Sequence, residues 1–216
     1  MAAEQQQPQQ AEPDGLASSA RLMAEIERLQ HDLIRARERI AELEARADDD
    51  PLLDILNRRG FERQLARSLA YVERYGTRAA LMFIDLDGFK AINDRHGHAA
   101  GDALLKAVAS SLSAHVRASD VVARLGGDEF GVLMWNADES LALAKAVELE
   151  AIIALVQADH GGAPLSVGAS AGIVVLRADA TAAETIAAAD RAMYARKKLN
   201  KARIRQDAKH ARGVTR

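Results

Sequence analysis

The chain has 216 residues, a length that accommodates one domain of ordinary size plus an extension. Apolar residues make up 49% of the sequence and aromatic residues only 4%, so Leu, Ile, Val and Ala must fill the core. The net charge of −2 gives no field that would attract nucleic acid, and the lack of cysteine excludes disulfides and thiolate metal sites.

Residues 1–15 are rich in Gln, Pro and Ala and show no apolar periodicity, which predicts a disordered tail. They have neither the basic start nor the apolar run of a secretory signal. The most apolar long segment, residues 141–156, is interrupted by Lys145, Glu148 and Glu150, which argues against a membrane span. We therefore expect a cytoplasmic protein that has no membrane partner.

Residues 16–48 carry a heptad pattern in which apolar positions are spaced alternately by four and three, with Glu and Arg between them. The pattern predicts a parallel two-stranded coiled coil that forms a homodimer. A single amphipathic helix packed on its own domain is the alternative. Pro51 disfavours helical geometry at Asp50 and so marks the end of this helix. The seam consists of Leu22, Ile26, Leu29, Leu33, Ala36, Ile40, Leu43 and Ala47.

The helix and strand patterns of residues 49–206 share a single layer interface, which predicts one domain of the α+β or α/β class. Residues 202–205 are interpreted as a short edge strand, and residues 207–216 as a basic tail. In chain order the patterns predict a helix at 61–75 that stops at Gly76, a strand at 79–87, a short and then a longer helix around a turn at 96–98, a hairpin at 120–134, a helix capped by Asn136 or Asp138, a strand at 164–176 and a helix at 180–200.

Two acidic clusters lie where strands are expected to end. Asp85 and Asp87 point to one face of their strand, and Asp128 and Glu129 follow two glycines in the hairpin. Polar strand ends and a glycine-rich turn are ordinary features when each stands alone. Carboxylates gathered at one sheet end, however, repel each other and need a positive partner, such as Mg²⁺ or Lys90. Glycine would let phosphates approach the backbone closely.

Four ordered blocks carry a resemblance to a known family. They are NRRGF at 57–61, FIDLDGFKAINDRHGHAAGDALL at 83–105, RLGGDEF at 124–130 and ADRAMYARKKLNK at 189–201. Over residues 50–204 the chain resembles the GGDEF-domain diguanylate cyclases. The resemblance implies a nucleotidyl-cyclase-like palm, with a central, mostly antiparallel sheet flanked by helices. It also implies the condensation of two GTP into cyclic di-GMP and two pyrophosphates. Each 3′-hydroxyl attacks the α-phosphate of the other GTP, so two domains must face each other.

The resemblance implies a divalent-metal site that takes Mg²⁺, with Mn²⁺ as an alternative. Its ligands would be Asp85, the backbone carbonyl of Leu86, Asp128 and Glu129. Asp128 is also the candidate that accepts the 3′-hydroxyl proton, and many family members have Glu at this position. Lys90 would act beside these acids by neutralising phosphate charge.

Other positions would bind the substrate. Gly126 and Gly127 would lie against the triphosphate, and Asn93 and Asp102 would bind the guanine edge. The last group consists of phosphate-binding positions: the backbone near Phe89 and Lys90, and the side chains of Lys197 and Lys201, which without the resemblance would be a solvated helix face.

The resemblance also implies regulation by product. Arg117 and Asp120 form an Arg-x-x-Asp motif just upstream of RLGGDEF, where the family has its inhibitory cyclic di-GMP site. Arg117 would pair with guanine or phosphate of the product, and Asp120 would contact guanine. We therefore expect feedback inhibition by cyclic di-GMP.

Some positions depart from the family pattern. Leu53, Asp54 and Leu56 stand where the family commonly has Thr, Gly and Pro, and the run 200–202 replaces Gly-Arg-Asn. The first change affects the coupling loop rather than the chemistry. A catalytically silent domain that senses GTP or cyclic di-GMP, or a coiled-coil adaptor, are the competing hypotheses. The retained acids favour the enzyme.

Overall fold

The protein is described by a computed structural model that covers residues 13–46, 48–161 and 163–213. Side chains are described for residues 21–37, 39, 48–159, 161 and 164–198. The chain divides into two compact units, one that ends at Arg46 and one that begins at Ala47. In the described part of the chain, no helix is both long enough and apolar enough to cross a bilayer.

The first unit contains one helix, α1 (Pro13–Arg46). It begins three residues before the predicted start at residue 16, and Pro suits the first helical turn because no N–H donor is needed there. Residues 1–12 of the predicted tail lie outside the described residues. Seam side chains stand open to solvent in the single chain, with exposed fractions of 62% at Leu22 and 51% at Leu33. An exposed apolar stripe therefore runs along residues 22–34 of α1, whereas the predicted seam residues Ile40, Leu43 and Ala47 lie outside the described side chains.

The second unit confirms the predicted order of helices and strands and adds one small hairpin. Helix α2 is capped by Asn57, whose side chain accepts from the Gly60 N–H at 3.0 Å, and it ends at Gly76 in the left-handed conformation. The elements are α2 (Arg58–Tyr75), β1 (Ala79–Asp87), α3 (Phe89–His96), α4 (His98–Ala114), β2 (Val121–Gly126), β3 (Glu129–Trp135), α5 (Glu139–Leu155), β4 (Ala158–His160), β5 (Ala163–Leu165), β6 (Gly168–Val175) and α6 (Ala182–Gly213).

The main sheet has the order β2-β3-β1-β6, and all of its pairings are antiparallel. Strand β1 is central, and its apolar side chains alternate between two buried layers. Met82 and Ile84 belong to the layer under α3, α4 and α5, whereas Leu81 and Phe83 belong to the layer under α2 and α6. This mostly antiparallel sheet flanked by helices confirms the predicted α+β class.

Helix α6 and strand β6 approach each other closely at Gly172. A Cβ added to Gly172 would lie 2.0 Å from the Met193 N and 2.5 Å from the Ala189 O, both of them backbone atoms. Only a residue without a side chain leaves room for this contact. The position of α6 over the sheet is therefore fixed by backbone contact at Ala189–Met193.

Two predictions for local structure were wrong, and one strand was missed. The strand predicted at 164–176 is two strands, because β5 pairs with β4 in a separate two-stranded sheet and only β6 joins the main sheet. Strand β4 was not predicted at all. Residues 202–205, predicted as an edge strand, continue α6, since strong helix formers and no Gly or Pro follow Ala182 until Gly213.

Candidate active site

The two acidic clusters meet at one end of the main sheet. The antiparallel register places Asp85 of β1 directly opposite Glu129 of β3. The Leu86 N–H donates to the Asp128 carbonyl at 3.2 Å, which ties the end of β1 to the hairpin turn. Carboxyl groups from stretches more than forty residues apart are thereby brought together.

These carboxyl groups hold one another in an unfavourable electrostatic environment. Burial raises the pKa of Asp128 above its ordinary value, the charge of Asp85 raises it further, and a backbone hydrogen bond and Lys197 act in the opposite direction. Burial is also the main cause that raises the pKa of Glu129, the charge of Arg58 lowers it, and the charges of Asp190, Asp85 and Asp128 raise it. The end of the sheet is therefore a place where a further cation would be stabilised.

Lys197 of α6 supplies positive charge to this cluster. Its ammonium contacts the Asp85 carboxylate and lies 3.5 Å from Asp87 Oδ1. Burial lowers the pKa of Lys197, but the hydrogen bond and charge of Asp85, together with Asp87, raise it above its ordinary value. A residue predicted to neutralise phosphate is thus paired with a predicted metal ligand.

Asp87 is held by a residue that the sequence patterns did not single out. The buried Ser170 hydroxyl donates to Asp87 Oδ2 at 2.8 Å. Asp87 Oδ1 is itself buried and accepts no hydrogen bond from the described part of the chain. No sequence signal marks Ser170, because the contact depends on the register of β6 against β1.

The turn between β2 and β3 is open toward solvent and anchored from behind. Gly127 has a φ of +36°, and a Cβ added there would meet no atom within 4 Å. Arg124 donates to the Gly127 carbonyl from Nε at 3.0 Å and from Nη2 at 2.8 Å. Its Nη1 also lies 3.3 Å from Asp50 Oδ2. The segment that begins the second unit is therefore linked directly to the turn beside Gly126.

Arg58 forms a second anchor that the sequence patterns missed. Its Nε donates to the Leu125 carbonyl at 2.6 Å, and its Nη2 lies 3.6 Å from Glu129 Oε2. Arg58 lies in the NRRGF block at 57–61, but its position there does not reveal the partners that it contacts. Glu129 is thus turned toward a cation on α2.

The predicted guanine-binding residues lie at the junction of α3 and α4. Asn93 Oδ1 is buried and accepts no hydrogen bond from the described residues. A Cβ added to Gly101 would lie 1.9 Å from this oxygen, so Asn93 packs against the residue that precedes Asp102. Phe89 is buried and Lys90 is exposed in the first turn of α3. The side chain of Lys201 lies outside those described.

Arg117 and Asp120 lie near the other end of β3. Asp120 Oδ2 accepts from the Arg117 N–H at 3.0 Å, and Asp120 Oδ1 accepts from the Trp135 N–H at 3.1 Å. The Asp120 carboxylate therefore shapes the turn between α4 and β2, while the Arg117 side chain is exposed. Since Trp135 ends β3 and Glu129 begins it, this motif is separated from the acidic cluster by the length of the strand.

The acidic cluster fits a metal ion that also uses substrate oxygens. Among the described residues, no three His, Asp or Glu side chains lie close enough together to enclose an ion by themselves. Mg²⁺ does not require such a cage, because it commonly binds one or two carboxylates together with waters and substrate phosphates. Burial and the charge of Asp85 together raise the pKa of Asp128, and a bound cation would offset both by stabilising the ionised carboxylate.

Residues 47–203 match the family described as diguanylate cyclase, GGDEF domain. The probable diguanylate cyclase DgcE of Escherichia coli (strain K12) is 43% identical over 177 residues, which cover 80% of this chain and 16% of DgcE. The chain spans less than half the length of the curated relatives it matches.

Two solved structures of GGDEF proteins are also similar to this chain. A sensory box/GGDEF family protein from Caulobacter crescentus CB15 is 39% identical, with a TM-score of 0.66 over 70% of this chain and 99% of that chain. The coiled coil and GGDEF domain of DgcB from Caulobacter crescentus, in complex with c-di-GMP, is 26% identical, with a TM-score of 0.69 over 82% of this chain and 94% of that chain.

Proposed function

Because the chain belongs to the GGDEF-domain diguanylate cyclase family, we propose that it condenses two molecules of GTP into cyclic di-GMP and releases two pyrophosphates. The observation that carries this proposal is the register that sets Asp85 opposite Glu129 and ties Leu86 to Asp128. A silent relative would have no need to keep three mutually repelling carboxylates at one sheet end. Their electrostatic cost favours a catalytic role.

We propose that Mg²⁺ is held by the carboxylates of Asp85 and Asp128, the Leu86 carbonyl and substrate phosphates, and that Glu129 joins these ligands when the ion and GTP bind. When bound, the ion would offset the acidic cluster and stabilise charge on the phosphates. Asp128 is proposed to accept the proton of the 3′-hydroxyl.

The proposed substrate contacts use a hydrogen-bond acceptor and a stretch of backbone that are open to a ligand. The buried Asn93 Oδ1 is an acceptor that the N1–H and N2–H₂ donors of guanine would satisfy, and Asp102 follows Gly101, against which Asn93 packs. Adenine does not offer this pair of donors, so GTP is the expected substrate. The open backbone at Gly126 and Gly127 would lie against the triphosphate.

Three lysines would balance the phosphate charge. Lys90 is exposed in the first turn of α3, and Lys197 lies inside the acidic cluster. Lys201 is proposed from the resemblance alone, because its side chain is not described.

A second copy of the chain is proposed as the partner. Each domain would bind one GTP, so the acidic cluster of one copy must face the acidic cluster of the other. The exposed seam of α1 supports a homodimeric coiled coil, which would raise the effective concentration of the two domains. The DgcB structure likewise combines a coiled coil with a GGDEF domain.

Product inhibition through Arg117 and Asp120 is proposed as well. The exposed side chain of Arg117 suits a phosphate or a guanine edge. Asp120 is a poor residue to substitute as a test, because both of its oxygens already stabilise backbone N–H groups.

The direct test is the formation of cyclic di-GMP from GTP and MgCl₂, followed by mass spectrometry across a protein dilution series. Asp85→Asn is expected to reduce the rate by about 100-fold or more, because it removes a carboxylate from the proposed metal site. Asp179→Asn is the matched control, since Asp179 is exposed and pairs only with Arg177 in the described structure. Wild-type protein that binds GTP but forms no product would favour the silent sensor.

Added cyclic di-GMP tests the inhibitory site in the same assay. It is expected to slow the wild-type enzyme and to leave Arg117→Ala at its uninhibited rate. Equal inhibition of both proteins would contradict the assignment of Arg117.

A further inference from the structure

Glu150 of α5 reaches around the edge of the main sheet to a residue of α6. Helix α5 packs on the sheet face that carries Ile84, whereas α6 packs on the opposite face. Even so, Arg196 Nη2 of α6 lies 2.8 Å from Glu150 Oε2. Both side chains are largely shielded, with exposed fractions of 17% for Glu150 and 30% for Arg196. This ion pair therefore connects the two helix layers past β6.

The second carboxylate oxygen of Glu150 binds the sheet itself. Since β6 is an edge strand, one side of its backbone faces no other strand of the sheet. Glu150 Oε1 accepts from the Ala171 N–H at 2.8 Å. Glu150 thus covers part of the sheet edge and fixes its own carboxylate at the same time. Because its position is set by the strand backbone, it is a rigid anchor for Arg196.

The residues next to Ala171 and Arg196 contact the acidic cluster. Ser170 precedes Ala171 on β6 and donates to Asp87, and Lys197 follows Arg196 on α6 and contacts Asp85. A closed ring of contacts therefore joins β1, β6, α5 and α6. The backbone contact at Gly172 fixes α6 only as far as Met193, so the Arg196 ion pair is the next restraint before Lys197.

We propose that Glu150 and Arg196 are positioning residues that hold the Lys197 ammonium between Asp85 and Asp87. Among the described contacts, neither side chain reaches the carboxylates of the acidic cluster, so both act through the turn of α6 that carries Lys197. This inference rests on the proposed function, in which Lys197 balances phosphate charge. Removal of the ion pair lets the end of α6 shift relative to the sheet, and Lys197 then leaves its place beside Asp85.

The test compares Arg196→Ala, Arg196→Lys and Glu150→Gln with wild-type enzyme in the cyclic di-GMP assay. Arg196→Ala is expected to lower kcat/KM by about tenfold, since small misplacements of a catalytic group are costly. Glu150→Gln keeps an acceptor for Ala171 but loses the ion pair, so it should show a similar loss. Arg196→Lys keeps the charge and should recover much of the activity.

A double-mutant cycle separates positioning from general structural support. If Arg196 acts through Lys197, adding Arg196→Ala to a Lys197→Ala enzyme should cause little further loss. Equal losses in both backgrounds would overturn the proposal. Arg177→Ala is the matched control, because it removes an exposed Arg–Asp pair, and its activity should equal that of wild type. Thermal unfolding of each variant shows whether it is folded.

A labelling experiment tests the same inference without turnover. The rate at which an amine-reactive acylating reagent modifies Lys197 is measured by peptide mass spectrometry, with exposed Lys106 as the internal reference. The Lys197-to-Lys106 ratio should rise severalfold in Arg196→Ala and stay unchanged in Arg177→Ala. An unchanged ratio in Arg196→Ala refutes the proposal even if the wild-type protein proves inactive. A raised ratio together with an inactive wild type refutes only the proposed function.

Discussion

Asp128 shows how a single residue places function and stability in opposition. Its side chain is partly buried beside Asp85, and its pKa in the folded protein lies above the ordinary value. An acid whose pKa is raised by folding stabilises the fold only while it is protonated. At neutral pH the ionised group therefore destabilises the metal-free protein, and a substitution that removes the charge should relieve this cost.

Asp128→Asn is accordingly expected to abolish cyclic di-GMP formation and to raise the thermal unfolding midpoint in the presence of EDTA. The gain should be small near pH 4, close to the ordinary carboxyl value, and should grow as the pH rises through the folded-state pKa. Differential scanning calorimetry between pH 4.5 and pH 8 measures this trend. A gain that did not depend on pH would show that packing, rather than charge, sets the difference.

Individual residues could be predicted from the sequence only where a motif fixed their spacing. Asp85, Asp128 and Glu129 were marked by position along strands and by resemblance, and the antiparallel register then brought them together. Ser170 and Arg58 carry no comparable signal. Their contacts depend on pairing between elements distant in sequence, and a serine or an arginine alone does not reveal its partner.

Strands and helices were predictable where local pattern and tertiary packing agree. Strand β1 reads as a buried strand because both of its faces are covered, and α2 is bounded by its own cap residues. The single strand predicted at 164–176 was wrong because the apolar run continues while the pairing partner changes from β4 to β1. Pairing choice is a property of the whole sheet and leaves no local trace.

Contact between elements decides what β6 tolerates. Gly172→Ala would place a methyl group against backbone atoms of α6, which cannot rotate away. We expect a loss of roughly 1–3 kcal/mol in the free energy of unfolding, as for other overpacked sites. Gly168→Ala on the same strand is the control, because its Cβ would meet Asp87 Cβ at an ordinary 3.6 Å. Urea denaturation of both variants measures the difference, and equal losses would contradict the close approach.

At the scale of the whole molecule, the proposed chemistry needs two copies, and the coiled coil is the element that would supply the second. An experiment that removes α1 should cut the chain after residue 46 rather than after residue 48. Asp48 is largely buried, its carboxylate lies 3.2 Å from Arg59 Nε, and its carbonyl accepts from the Asn57 N–H at 2.7 Å. Removal of Asp48 would disturb the second unit itself, so a loss of activity would no longer report on the coiled coil alone.

Substitution within the seam tests dimerisation in the full-length chain. Ile26→Lys combined with Leu33→Lys places two charges at seam positions whose side chains are more than half exposed in the single chain. Ala24→Lys combined with His31→Lys adds the same two lysines on the opposite face of α1. The seam variant is expected to sediment as a monomer, and its specific activity should fall about tenfold or more as the protein is diluted.

The control variant should keep the dimer and a specific activity that is independent of concentration. At high protein concentration the specific activity of the seam variant should approach that of the control. The acidic cluster of each copy is intact, and two copies can still meet by diffusion. This recovery distinguishes a missing tether from a damaged site. A seam variant that is monomeric by sedimentation and yet equals the control at every dilution would show that α1 does not bring the two domains together.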